Sequence, residues 1–136
     1  MLASMAGTFL SRILQVSCIV AVALAQSPAG KFTGTWSGAS GAGGSFRISL
    51  EQTGGNWKCE VVFGFENTEV KTNVTMVKVE GARVEAQYDF DIGGNRLQSA
   101  IEGAISGDKL AGTYKTKALQ DSAPVDQGKF EATRGK

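Results

Sequence analysis

From residue 31 to residue 134 the chain alternates apolar and polar positions in short runs, broken every ~10–14 residues by glycine-rich turns. A period of two places successive side chains on opposite faces, so each run reads as a strand with one buried face. The first run, 31–37, sets Phe32, Gly34 and Trp36 on one face. A seven-residue loop, 38–44, contains four glycines. The second run, 45–52, turns Phe46, Ile48 and Leu50 inward and Arg47, Ser49 and Glu51 outward. Thr53-Gly54-Gly55-Asn56 has hairpin chemistry. The third run, 57–65, carries Trp57, Cys59, Val61, Phe63 and Phe65 on one face.

The fourth run, 69–80, changes phase. Val70, Thr72 and Val74 share one face and Val77 and Val79 the other, so a bulge or break is expected between Val74 and Met76. The fifth run, 82–91, alternates Val84, Ala86, Tyr88 and Phe90 with Arg83, Glu85, Gln87 and Asp89. The sixth, 96–105, aligns Leu97, Ile101 and Ile105. The seventh, 110–116, aligns Leu110, Gly112 and Tyr114. A polar loop over 117–127 precedes the eighth run, 128–134, in which Phe130, Ala132 and Arg134 share a face.

These eight runs predict an all-β fold. Short connections make successive strands antiparallel neighbours, hence an up-and-down meander. A meander leaves two bare edges unless it closes on itself, so a closed barrel is the favoured solution. An open or two-layer sandwich of the same strands is the alternative.

Gly34-Thr35-Trp36 on the first strand, with Arg134 ending the last, resembles the calycin group of eight-stranded barrels: lipocalins, fatty-acid-binding proteins and avidins. In that group a G-x-W packs under an Arg near the end of the last strand. The resemblance implies that Trp36 plugs one barrel end beneath Arg134, a guanidinium–indole stack worth about 0.5–2 kcal/mol. Gly112-Thr113-Tyr114 echoes the motif in avidin style. The chain departs from the group in other respects. It is shorter than typical lipocalins and lacks their disulfides, the helical lid of fatty-acid-binding proteins and the later Trp-rich strands through which avidins hold biotin. The identity of a ligand is therefore not carried over. The texture also resembles small exported bacterial β domains written in G-x-L-x-G-T-[WY] strands.

Upstream, residues 1–25 hold no acid and one cation, Arg12, around an apolar run over 13–24 ending in Ala23-Leu24-Ala25. This predicts a signal peptide over 1–25, a single barrel domain over 26–136 and a secreted or periplasmic protein with no membrane span after cleavage. Of 14 basic residues only Arg12 falls in that leader, so the remainder balances the 13 acidic residues. Neutrality removes the electrostatic case for a nucleic-acid partner. Cys59 is then left without an intramolecular disulfide partner and reads as a small buried hydrophobe.

The chain has no His, which excludes His-based triads, metal sites and pH switches. No G-x-S-x-G elbow, phosphate loop or Cys pair is present. Asp89 to Asn95 superficially resembles a calcium loop, but its fifth and twelfth positions hold Gly93 and Ala100. No catalytic residue, metal site or cofactor is expected, and the protein is not read as an enzyme.

Two functions remain. If the barrel is hollow, it holds a small apolar or amphipathic ligand against Phe46, Phe63, Phe65, Tyr88, Phe90 and Tyr114. The two tyrosines would then offer hydroxyls to a polar group. The loop at 38–44 would be its entrance. If twenty bulky inward side chains fill the barrel, it is a structural, adhesion or accessory interaction module. The small inward residues Ala86, Ser99, Gly103, Gly112 and Ala132 mark where a void would lie.

Overall fold

The computed structural model describes residues 27–135. The predicted leader, with Cys18, lies outside the described residues. Nine strands follow one another: β1 (Gly30–Gly38), β2 (Gly43–Thr53), β3 (Asn56–Phe65), β4 (Thr68–Lys71), β5 (Asn73–Glu80), β6 (Arg83–Ile92), β7 (Asn95–Ser106), β8 (Lys109–Ala118) and β9 (Pro124–Arg134). They form one sheet in the order β4-β3-β2-β1-β9-β8-β7-β6-β5, antiparallel throughout. Because β1 pairs with both β2 and β9, the meander curls into a nearly closed barrel rather than a sandwich. One seam, between β4 and β5, carries no ladder.

The ninth strand comes from the fourth sequence run. The chain leaves β3's edge at Lys71 and joins β6's edge at Asn73, with Thr72 between them. The Thr72 hydroxyl donates to the Val61 carbonyl at 2.7 Å, occupying an acceptor on β3 just beyond the β3–β4 ladder. The expected phase change is also present. Val74 pairs with Tyr88 and Met76 with Gln87, so Thr75 is the extra residue of a bulge. That bulge keeps Val74, Val77 and Val79 packed against the core.

Five of the connections are two-residue hairpins, and glycine supplies positive φ in four of them: Gly54, Gly81, Gly93 with Gly94, and Gly107. The fifth, between β3 and β4, uses Glu66 at φ 49° and Asn67 at φ 61°. The two longer connections are β1–β2 and β8–β9. The polar loop expected over 117–127 is shorter than its composition suggests, because β8 and β9 pair on to Lys117 and Pro124. Pro124 sits at the first residue of its strand, where a missing amide donor is tolerated.

The end carrying the β2–β3, β5–β6 and β7–β8 turns is solid. Phe32, Ile48, Leu50, Val61, Val84 and Leu110 are essentially inaccessible there, and Cys59 and Ile105 complete the packing. Arg134 seals it. Its guanidinium lies 4.8 Å from the Phe32 ring centroid. It donates to the carbonyls of Ala29, Ser27 and Gly107 and pairs with Asp108 at 3.5 Å.

This corrects the expected Trp36–Arg134 stack. Register pairs Arg134 with Phe32, and Trp36 with Phe130. Four residues along a strand is about 13 Å, so Trp36 lies far beyond the reach of that guanidinium. Gly34 fixes the register between them. A Cβ there would fall on the Glu131 carbonyl oxygen, so only glycine lets β1 and β9 approach this closely. Both ends of the Gly34, Trp36, Arg134 signature face inward, but Arg134 closes the floor with Phe32 while Trp36 belongs to the other half of the barrel.

Candidate functional site

That other half is hollow. A cavity of about 840 Å³ opens between the β1–β2 loop, the β6–β7 turn and the β8–β9 loop. The volume is in the range of small-molecule sites, roughly 300–1,000 Å³. Strand alternation builds its wall: Phe46 from β2, Phe63 and Phe65 from β3, Tyr88 and Phe90 from β6 and Tyr114 from β8 all project into it. The six side chains named from alternation thus meet at one place. Phe63 is the hub, with Phe90 edge-on at 4.9 Å, Tyr88 at 6.5 Å and Trp36 edge-on at 6.0 Å.

Trp36 is part of this wall and not a plug. Its indole N–H donates to the Gly64 carbonyl at 3.0 Å, reaching across β2 to β3. Gly44 makes that reach feasible, since a Cβ on it would fall on the same carbonyl oxygen. The indole stacks on Phe65 at 6.3 Å and meets Tyr114 edge-on at 5.8 Å.

The polar atoms of the wall fall into two groups. Deep in the cavity, the Ser99 and Thr116 hydroxyls bond each other at 2.6 Å across β7 and β8. Tyr88 faces Ser99 on the neighbouring strand. Burial pushes its phenol well above the ordinary range, a rise that the Ser99 hydroxyl eases and Cys59 adds to, so it is a neutral donor at any working pH. Nearer the mouth, Tyr114 donates to Asp126 at 3.0 Å, and the Ser40 amide donates to the same carboxylate at 3.2 Å. Burial works to raise the Asp126 pKa. The Ser40 amide, the Tyr114 hydroxyl, the Ser40 side chain and the Gln127 amide outweigh it, so the carboxyl sits below its ordinary range. The Tyr114 phenol is pushed up, first by burial and then by its bond to that carboxylate.

Sequence reasoning missed Asp126 and Thr116. Asp126 stood inside the expected polar loop, whereas pairing with Thr116 draws it into β9. Thr116 was in phase with Tyr114, and that phase was the available signal. The void is not where the small residues predicted it. Of the five marked, Ser99 lines the cavity; Ala86, Gly103, Gly112 and Ala132 do not. Leu110 and Phe130 occupy the space beside Gly103 instead.

The superficial calcium loop is the end of β6 and its hairpin. Asp89 accepts from Gln98 at 3.1 Å, and Asp91 faces Arg96 at 3.8 Å. Among the described residues no cluster of three or more acidic, Cys or His side chains is arranged to hold a metal. Cys59 is buried, its thiol pushed up to about 12 by burial and, secondarily, by the neighbouring Glu60 charge.

Fold and site together define an all-β, nearly closed antiparallel barrel, solid at one end and hollow at the other, compatible with a calycin-like barrel. No protein-family model matches the chain, and no curated protein does.

Proposed function

We propose that the protein is a binder and not an enzyme: it holds one small apolar or amphipathic molecule in the open half of the barrel. The observation carrying this reading is the cavity of about 840 Å³ walled by Phe46, Phe63, Phe65, Tyr88, Phe90 and Tyr114. Apolar walls with a few fixed hydroxyls favour burial of a hydrocarbon or ring system together with one oriented polar group. The lipocalin-type assignment belongs to this proposal, supported by the barrel and its open mouth. So does export to a periplasmic or extracellular setting, supported by the pattern over residues 1–25.

Native mass spectrometry of the purified protein tests the binding. An added mass that leaves on denaturation, or uptake from a lipid extract, is the expected result. A clean mass with no uptake would sink the proposal and turn attention to the outer surface.

A further inference from the structure

We propose that the occupant of this cavity is a lipophilic cation, an amine or quaternary ammonium whose charged head rests among Trp36, Phe65 and Tyr114 beside the Asp126 carboxylate. This rests on the cavity being a binding site and names the chemistry it selects.

The charges of the wall are few. Only Asp126 and Arg96 contribute formal charge at neutral pH. Arg96 is at the rim, mostly solvent-exposed, and faces Asp91. Asp126 forms no ion pair with any basic side chain among the described residues. Its partners, the Ser40 amide and the Tyr114 hydroxyl, orient the carboxylate without neutralising it. The same hydrogen bonds hold its pKa low, so the negative charge persists at neutral pH.

The aromatic rings adjoin that charge. Tyr114 bonds Asp126 and meets Trp36 edge-on, and Trp36 stacks on Phe65. Aromatic faces carry negative potential and attract ammonium groups, the more so where water is thin. An anionic head placed here would meet the Asp126 carboxylate. The deeper polar atoms give it no compensating cation, because Ser99, Thr116 and Tyr88 are all neutral.

Calorimetric titration of the purified protein with three probes of one chain length separates the cases: octyltrimethylammonium, 1-octanol and octanoate, at neutral pH and low salt. Expected is about tenfold tighter binding of the ammonium than of octanol, about 1.4 kcal/mol, with octanoate weakest. Asp126→Asn should bring the ammonium-to-octanol ratio towards one, and Asp126→Glu should retain it. Octanol binding as tightly as the ammonium, or octanoate binding tightest, overturns the cation inference while leaving cavity binding intact. Binding of none of the three overturns both.

Discussion

Arg134 covers Phe32, its cross-strand neighbour on β1, and so joins the last strand of the barrel to the first at the floor. The same side chain holds the backbone of residues 27 and 29 and the β7–β8 turn. Arg134→Ala should therefore cost about 1–2 kcal/mol, from the lost bond to the part-buried Ala29 carbonyl and the lost cover over Phe32. In a double-mutant cycle by chemical denaturation, Phe32→Leu and Arg134→Ala should couple by about 0.5–1 kcal/mol. Trp36→Phe and Arg134→Ala should be additive. Coupling in the second cycle and none in the first would falsify the assignment of the floor.

The β3–β4 hairpin places Glu66 in the left-handed region, where a Cβ is strained. Glu66→Gly should stabilise the fold by about 0.5–1 kcal/mol once glycine's greater freedom in the unfolded chain is counted. Thermal melts decide this. Destabilisation would mean that the Glu66 side chain makes a contribution larger than its strain.

The two halves of the barrel should respond oppositely to added volume. Ala86 is buried in the solid half, so Ala86→Phe should overpack it and cost about 1–3 kcal/mol. Ala118 lines the hollow half, so Ala118→Trp should leave the melting temperature level or raised and weaken uptake of an apolar fluorescent probe at least about tenfold. Equal destabilisation by the two changes would count against the cavity.

Acid should loosen the mouth before it unfolds the barrel. Asp126 has a lowered pKa in the folded state, so its tether is at full strength above the ordinary carboxylate range and fades as pH falls through the folded value. The protection of the Ser40 amide, taken relative to its intrinsic exchange rate at each pH, should fall over that interval, because this amide donates to Asp126. In Asp126→Asn that fall in protection should be absent. An unchanged pH profile in the variant would remove Asp126 as the cause.

Cys59, buried and with its pKa near 12, should be inert to thiol-specific reagents in the native protein at mildly alkaline pH. Labelling should proceed at the rate of unfolding and rise with denaturant. Rapid modification without denaturant would show that the seam beside β3 opens locally.

Much of the barrel was legible from alternation, because register and burial on a two-faced strand share one period. Phe46, Phe63 and Phe90 needed nothing more than their phase. The phase change near Met76 also revealed the bulge at Thr75. What alternation cannot provide is distance along the strand. Trp36 and Arg134 share a face, yet their separation depends on where β1 and β9 meet, and the close approach at Gly34 sets that point. Asp126 was hidden for a different reason. Its local sequence is polar and carries Pro124, so strand pairing there is imposed by β8 and not by its own residues. Whether small inward residues leave a void was equally out of reach, since large neighbours such as Phe130 and Leu110 lean into the space beside Gly103.

The passage of the chain through Thr72, from the edge of β3 to the edge of β6, makes this wall a hoop with an overlapping clasp. Eight of the nine junctions around it are ladders, each resisting separation through a whole row of backbone bonds. At the remaining one, a single hydroxyl bond from Thr72 and the side chains between β3 and β5 bear the load. The seam is therefore the one line around the described barrel that no ladder closes. At that line the wall is held by the chain passing through Thr72, its hydroxyl bond and packing, and by no row of backbone bonds.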